Sequence, residues 1–158
     1  MEIDNRKFKF FITVCLFSIL SACTTSEKKQ SREEQLCFLK ITQGELVFTE
    51  NDEVHTLIDS LVMNLNIKND SVTGVIEWIP EQKDKITGTL VGAIQDDVIT
   101  AMYSSVANGI PTKEEKILKL DSDKIWIRAG AVELRDGIWV LKDKNAAFSE
   151  SISKTLCK

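Results

Sequence analysis

Residues 61–78, LVMNLNIKNDSVTGVIEW, contain two alternating segments around a polar turn. In residues 61–68 an apolar side chain at every second position alternates with a mainly polar set, a period of two that predicts a strand with one buried face. Asn69-Asp70-Ser71 is typical of a turn, and Val72 to Trp78 begins the return strand. Because the connection is short, the two strands are predicted to be antiparallel neighbours.

The same rhythm continues in both directions from this stretch. Further strands are predicted over 36–41, 86–95, 98–106, 115–120 (with exposed lysines), 125–132 and 139–142. Asp136-Gly137 is the strongest hairpin signal in the chain. The tail, 145–158, is ambiguous between a short helix and an edge strand. Seven or eight sequential strands predict an all-β fold, an antiparallel meander closed into a small up-and-down barrel, with a two-layer β-sandwich as the alternative.

The N-terminus has the features of an export signal. A basic cluster at Arg6, Lys7 and Lys9 precedes an apolar run from Phe10 to Leu20, and small residues follow it, which is typical of a secretory signal peptide over 1–22. The ending Leu20-Ser21-Ala22-Cys23 resembles the lipobox of bacterial lipoproteins. That resemblance implies that Cys23 is lipidated (the palmitate type of modification) and becomes the first mature residue.

Two other interpretations of this segment remain. An ordinary signal peptide would leave a free Cys23, although its cleavage site would favour A-x-A. A transmembrane anchor would need about 20 apolar residues, more than this run offers. On the lipoprotein interpretation, residues 23–35 are the lipidated Cys and a disordered tether, since 24–35 hold no apolar residue. Residues 36–158 are then a single β domain.

Composition limits the classes of partner. The mature chain has about 136 residues and a net charge near −5, and it has no basic stripe, so no nucleic-acid partner is predicted. Membrane attachment would depend on lipid alone. Thr24-Thr25 follow Cys23, and no Asp stands there to resemble the inner-membrane retention signal of bacterial lipoproteins. The expected location is therefore the outer membrane of a Gram-negative envelope, facing the periplasm or the cell surface.

Cys37 and Cys157 lie at opposite ends of the mature domain. Cys15 falls in the signal peptide and Cys23 is assigned to lipid, so these two cysteines remain. Export to an oxidising compartment favours a disulfide between them. Two separate buried thiols or a redox pair are the alternatives, and the absence of a C-x-x-C arrangement disfavours the redox pair.

The strand rhythm over Leu36 to Lys142 is similar to that of small lipocalin-like lipoprotein domains of the bacterial envelope. The N-terminal domain of the copper-stress lipoprotein and the membrane-bound lysozyme inhibitors are two examples. The C-x-x-C of the first family and the Ser-Gly loop of the second are missing here, so neither activity transfers. The chain most resembles uncharacterised small lipoproteins with this rhythm.

No catalytic or metal site is predicted. His55 is the single histidine, which excludes a multi-histidine metal site, and it is expected to be solvent-exposed. Asp121-Ser122-Asp123 lacks the remaining ligands of a calcium loop. A hydrolytic carboxylate pair is defined by distance in space and is the least favoured alternative. Its candidate residues are Glu77, Asp96, Asp97, Glu114, Glu115, Asp121 and Asp123.

The interior of the barrel is expected to be solid. Gly74, Gly88 and Gly92 remove volume from one face, which is more typical of relieved crowding at bends than of a ligand site. Trp78, Trp126 and Trp139 are expected to fill the core or the barrel ends. The loops Pro80 to Lys85 and Ala107 to Lys113 would then carry recognition.

The expected function is therefore a non-catalytic binding or interaction module without a cofactor. A protein partner or a small apolar ligand is its expected target, and a lipocalin-like carrier of such a ligand is the first alternative.

Overall fold

The computed structural model describes residues 33–48, 51 and 53–157. These residues form ten β-strands and contain no helix. The strands are β1 (Glu33–Phe48), β2 (Val54–Lys68), β3 (Ser71–Ile79), β4 (Ile86–Gln95), β5 (Val98–Ala107), β6 (Ile110–Leu120), β7 (Lys124–Arg128), β8 (Val132–Arg135), β9 (Ile138–Leu141) and β10 (Phe148–Thr155).

Eight of the strands close into an antiparallel barrel. Strands β1 to β7 follow one another as a meander, and β10 closes the ring between β7 and β1. The β8–β9 hairpin is inserted before β10 and lies beside β6, where Trp139 is in register with Glu114. The all-β barrel predicted from the strand rhythm is confirmed, and its form is consistent with a lipocalin-like barrel.

The barrel has a closed end and a mouth. The turns at Asn69-Asp70, at Asp96-Asp97 and at 121–123 lie at the closed end, where β1 also begins because Glu33 pairs with Lys68. The β3–β4 loop (80–85), the β5–β6 turn at Asn108-Gly109 and the β8–β9 insertion lie at the mouth. The chain therefore enters the barrel at the end opposite the mouth.

The closed half of the barrel is filled by apolar side chains. Alternate residues of each strand point inward, and this row includes Phe38, Leu65, Leu90, Ile99 and Ile125, all buried. An eight-stranded barrel is only just wide enough for such side chains. The expectation of a solid interior holds for this half.

The strand boundaries differ from the sequence prediction in several places. β1 begins at Glu33, so the last three residues assigned to the disordered tether are paired strand residues. β1 and β2 are much longer than expected, and β6 starts at Ile110, inside the predicted 107–113 loop. The ambiguous tail contains strand β10, which excludes the short helix for residues 148–155.

A disulfide joins Cys37 of β1 to Cys157, which follows β10, with 5.2 Å between the two Cα atoms. Cys37 lies in register with Thr155, so the bond clips the first strand of the barrel to the chain end that completes the ring. The predicted pairing is confirmed.

Candidate functional site

A cavity of about 330 Å³ lies in the mouth half of the barrel. It begins where the apolar packing of the closed half ends, and the β8–β9 insertion covers one side of it through Val132 and Leu141. The expectation of a solid interior is therefore wrong for this half. The cavity forms because the chain between β7 and β10 extends the barrel wall beyond the ends of the short strands.

The base of the cavity is apolar. Met63 of β2, Ile76 of β3 and Leu118 of β6 are buried and line it, and Leu61 and Ile127 continue the surface upward. All five belong to the inward-facing rows of their strands. Burial of apolar ligand surface against such a wall stabilises a complex by about 25 cal/mol per Å² before association costs are subtracted.

Polar groups converge on the upper part of the same cavity. Tyr103 of β5 and Glu114 and Lys116 of β6 line it. Lys116 forms an ion pair with Glu114, and its ammonium group lies 6.0 Å from the centre of the Tyr103 ring. Lys116 was expected to be exposed, whereas it occupies the inward row with Leu118 and Leu120.

Burial raises the pKa of Tyr103, and the nearby Glu114 carboxylate raises it further, against a hydrogen bond with Ser105 that lowers it. The phenol therefore stays protonated at neutral pH and keeps a donor beside the apolar base. A mostly apolar cavity with a few fixed polar groups has the chemistry of a small-molecule site.

Arg128, at the end of β7, closes one side of the mouth. Its guanidinium stacks on the Phe148 ring at 4.4 Å, and its Nη1 donates to the Lys144 carbonyl. Its Nε is buried without a hydrogen-bond partner among the described residues. Lys144 in turn pairs with Glu115 of β6. These contacts fix the segment that leads back into β10, so the cavity wall is held on several strands.

The three glycines noted in the sequence do not form the cavity. A Cβ atom at Gly88 would lie 2.2 Å from Tyr103 Cε2, and one at Gly92 would lie 2.2 Å from the Thr100 carbonyl oxygen. At Gly74 the nearest atom would be the Asn64 carbonyl oxygen, at 2.5 Å. The neighbouring strands fill the volume that these glycines leave, which agrees with relieved crowding as the expected cause.

None of the three tryptophans is a buried core residue, but Trp78 lies at a barrel end, which is one of the two expected positions. Trp78 lines the cavity at the mouth. Trp126 lies on the outer row of β7, where its Nε1 donates to Asp121 Oδ2 over 3.3 Å and its ring contacts Lys124. Trp139 is exposed on β9. Of the two tryptophans on barrel strands, Trp78 falls on the inward row and Trp126 on the outer row.

The two loops proposed for recognition do lie together. A broad cleft of about 1020 Å³ is lined by the β3–β4 loop and by Val106 to Gly109. It is more open to solvent than the barrel cavity and is lined mainly by polar and charged loop residues, including Glu81, Lys83 and Asp84. The less open barrel cavity is therefore the better candidate for a small-molecule site.

His55 is exposed, as expected, and its Nε2 hydrogen-bonds to Oε1 of Glu81 in the β3–β4 loop. The other Glu81 oxygen accepts the Ile58 amide, and the Glu81 amide donates to Asp59 Oδ1 over 3.2 Å. The hydrogen bond from His55, followed by that from Ile58, lowers the pKa of Glu81. These contacts join the loop to strand β2.

Six of the seven carboxylates considered for hydrolysis, all except Asp96, are engaged in contacts described here or above. Glu77 accepts hydrogen bonds from Lys85 at 2.9 Å and from Thr87, which hold its pKa below the ordinary value, with Lys85 as the main cause. Asp121 accepts the Ser122 amide and the Trp126 indole, and its pKa is lowered mainly by the Ser122 contact. Asp97 pairs with Lys119, and Asp123 pairs with Lys124. A lowered carboxyl pKa suits a hydrogen-bond acceptor and not a general acid.

Within the described part of the chain, no group of three or more His, Cys, Asp or Glu side chains is placed to hold a metal ion. Among those same residues, no helix is long and apolar enough to cross a membrane. The predicted signal peptide (1–22), Cys23 and tether residues 24–32 lie outside the described residues.

Comparisons with protein-family models, with curated proteins and with solved structures find no match for this chain. The candidate site is therefore assigned from its own geometry.

Proposed function

We propose that this protein is a lipid-anchored lipoprotein of the bacterial outer membrane that acts as a non-catalytic binding module. Its barrel-mouth cavity binds a small molecule that is mostly apolar and carries one polar end. The observation that carries the proposal is the cavity in the barrel mouth, with an apolar base and with Tyr103, Glu114 and Lys116 above it.

The size of the cavity supports a small ligand. Ligand sites in proteins enclose about 300–1,000 Å³, and this cavity of about 330 Å³ is at the lower limit. The ligand's apolar body would rest on Met63, Ile76 and Leu118. Its polar end would reach the phenol of Tyr103 and the Lys116–Glu114 pair, which offer both donors and acceptors.

The direction of the barrel is compatible with an anchor at Cys23. β1 begins at the closed end, so the chain that leads to Glu33 enters the barrel opposite the mouth. Ten residues from Cys23 to Glu33 extend to about 35 Å at most. A ligand could then enter the mouth from the aqueous compartment.

The test is a titration with N-phenyl-1-naphthylamine, an uncharged apolar dye that fluoresces on transfer from water. The full chain in detergent is compared with its Leu61→Trp variant, which places a large side chain in the cavity. Val91→Trp is the matched control, because Val91 is exposed on the outer row of β4. A titration of the same detergent without protein is subtracted from each curve, which removes the signal of dye in the detergent.

We expect saturable dye binding by the wild type and by Val91→Trp, and at least about tenfold weaker binding by Leu61→Trp with a retained cooperative melt. Equal dye signals from all three proteins would contradict the proposal.

A further inference from the structure

The last half of β1 and the first half of β2 extend past the barrel as an arm. β1 pairs with β10 only from Cys37 to Leu39, and pairing of β2 with β3 begins at Ser60. Beyond these points the described residues 40–48 pair only with β2, and residues 54–59 pair only with β1. We refer to these residues as the β1–β2 arm.

One face of the β1–β2 arm is apolar. Phe48 lies in register with Val54, Leu46 with Thr56, and Gln43 with Ile58. Directly opposed residues of antiparallel strands share a face, and a bulge between Gln43 and Leu46 keeps the apolar residues of β1 on the face of Ile41. The outer face of the arm, with Ile79 of β3 beside Ser60, therefore presents Ile41, Leu46, Phe48, Val54, Ile58 and Ile79.

All six side chains are exposed, with Phe48 76% and Leu46 65% accessible to solvent. Apolar side chains scattered singly over a surface need no explanation, but a contiguous group on one face marks an interaction site. The opposite face of the arm is accounted for by the side chains of His55 and Asp59, which contact Glu81 of the β3–β4 loop.

The charge of the arm indicates the kind of partner. Between residues 41 and 67 the sequence has no Lys or Arg and has five acidic residues, Glu45, Glu50, Asp52, Glu53 and Asp59. The net charge of this stretch therefore equals that of the whole predicted mature chain, because the charges of the other mature residues balance. Among the described residues on or beside the arm, Glu45, Glu53 and Asp59 are acidic and Lys40 is basic, so the apolar face lies in a net negative field.

Three other occupants are disfavoured, two of them by this field. A second copy would bring two acidic arms together, within the screening distance of about 8 Å at physiological salt. An anionic lipid surface would be repelled for the same reason. Residues 24–32 of this chain are partly basic but contain no apolar side chain to cover the face.

We propose that the outer face of the β1–β2 arm docks a cationic segment of another protein, one that presents apolar side chains flanked by Lys or Arg. The apolar side chains would cover Ile41, Leu46, Phe48 and Ile58, and the flanking cations would lie near the acidic residues of the arm. This surface is separate from the barrel cavity and does not depend on a ligand there.

The experiment uses the full chain in nanodiscs and a labelled amphipathic peptide of Leu and Lys, followed by fluorescence anisotropy. A peptide with Glu in place of every Lys is the charge control. Leu46→Ser with Ile58→Ser removes apolar surface from the arm, and Glu45→Gln with Glu53→Gln removes charge. Val106→Ser with Leu134→Ser is the matched control, since both residues are exposed on other hairpins.

We expect the Leu/Lys peptide to bind the wild type, to weaken with added salt, and to bind both arm variants at least about tenfold more weakly. The Leu/Glu peptide should not bind, and the control variant and Leu61→Trp should bind like the wild type. The proposal would be overturned if the control variant lost as much affinity for the Leu/Lys peptide as the arm variants, or if the arm variants lost none.

Two further outcomes would also overturn it. A wild-type dimer in sedimentation that Leu46→Ser with Ile58→Ser dissociates would make the face a self-association surface. Co-sedimentation of the wild type, but not of that variant, with neutral phosphatidylcholine vesicles would make the face a lipid contact.

Discussion

The ring of Tyr103 occupies the space above Gly88, so that a Cβ atom at position 88 would lie 2.2 Å from Tyr103 Cε2. This contact connects the wall of the barrel to the candidate site, because Tyr103 also lines the cavity. A side chain at position 88 would have to move the ring.

Substitution of the barrel glycines should therefore destabilise the fold in a defined order. Gly92→Ala meets the backbone of β5, which cannot move aside, whereas Gly88→Ala meets the Tyr103 ring. We expect losses of about 1–3 kcal/mol, larger for Gly92→Ala than for Gly88→Ala. Chemical denaturation of the full chain measures them.

Gly130→Ala is the control, since its Cβ would lie 3.4 Å from Ala146, an ordinary contact, and it should be nearly neutral. Adding Tyr103→Leu to Gly88→Ala should cost less than the sum of the two single changes. Strict additivity, or an equal loss at Gly130, would show that the contact with Tyr103 is not the cause.

The disulfide should be a main source of stability. Cys37→Ser releases the clip between β1 and the end of β10, and we expect a loss of about 2–5 kcal/mol in the free energy of unfolding. Thiol labelling of the unfolded, unreduced wild type should leave Cys37 and Cys157 unmodified. Modification of both would contradict the bond.

The contact of Glu81 with the arm should be sensitive to acid. Hydrogen bonds from His55 and from the Ile58 amide hold the pKa of Glu81 below its ordinary value of 4.5. Such a group stabilises the folded state above that value and loses this contribution as the pH falls through the lower, folded pKa. We expect the Tm of the wild type to decrease below about pH 4.5 and that of Glu81→Gln to decrease less.

Glu53→Gln, an exposed change on the same arm, is the control and should keep the wild-type pH dependence. Part of the decrease should remain in Glu81→Gln, because the pKa values of Glu77 and Asp121 are also lowered. Identical Tm curves for the wild type and Glu81→Gln would show that this contact does not stabilise the fold.

The anchor prediction concerns Cys23. Cys23→Ser should leave an unlipidated precursor that no longer partitions into the detergent phase, because the acyl chains supply the membrane affinity. Phase separation and the N-terminal mass measure this. An unchanged mass and unchanged partitioning in the variant would contradict lipidation at Cys23.

The sequence predicted the barrel well where one face of a strand is buried. Residues 86–95 alternate in this way, and β4 has those bounds. The β1–β2 arm was missed because alternation is produced by burial of one face, and the arm has no buried core beneath it. The bulge between Gln43 and Leu46 also breaks the period there.

The candidate site was harder to predict for a related reason. Lys116 was treated as an exposed lysine, although it shares the inward row with Leu118 and Leu120, a spacing visible in the sequence. The cavity itself depends on where the chain between β7 and β10 lies, which no local pattern specifies. The disulfide was predictable because the predicted signal peptide and the predicted lipidation of Cys23 left Cys37 and Cys157 to pair.

The most direct test of the proposed binding function is native mass spectrometry of the full protein purified from its own membrane. We expect the wild type to carry an additional non-covalent mass of a small molecule that is lost on denaturation, and we expect the Leu61→Trp variant to lack it. Val91→Trp should retain the same mass. A wild type that carries no such mass, or a Leu61→Trp variant that retains it, would contradict the assignment of the cavity as a ligand site.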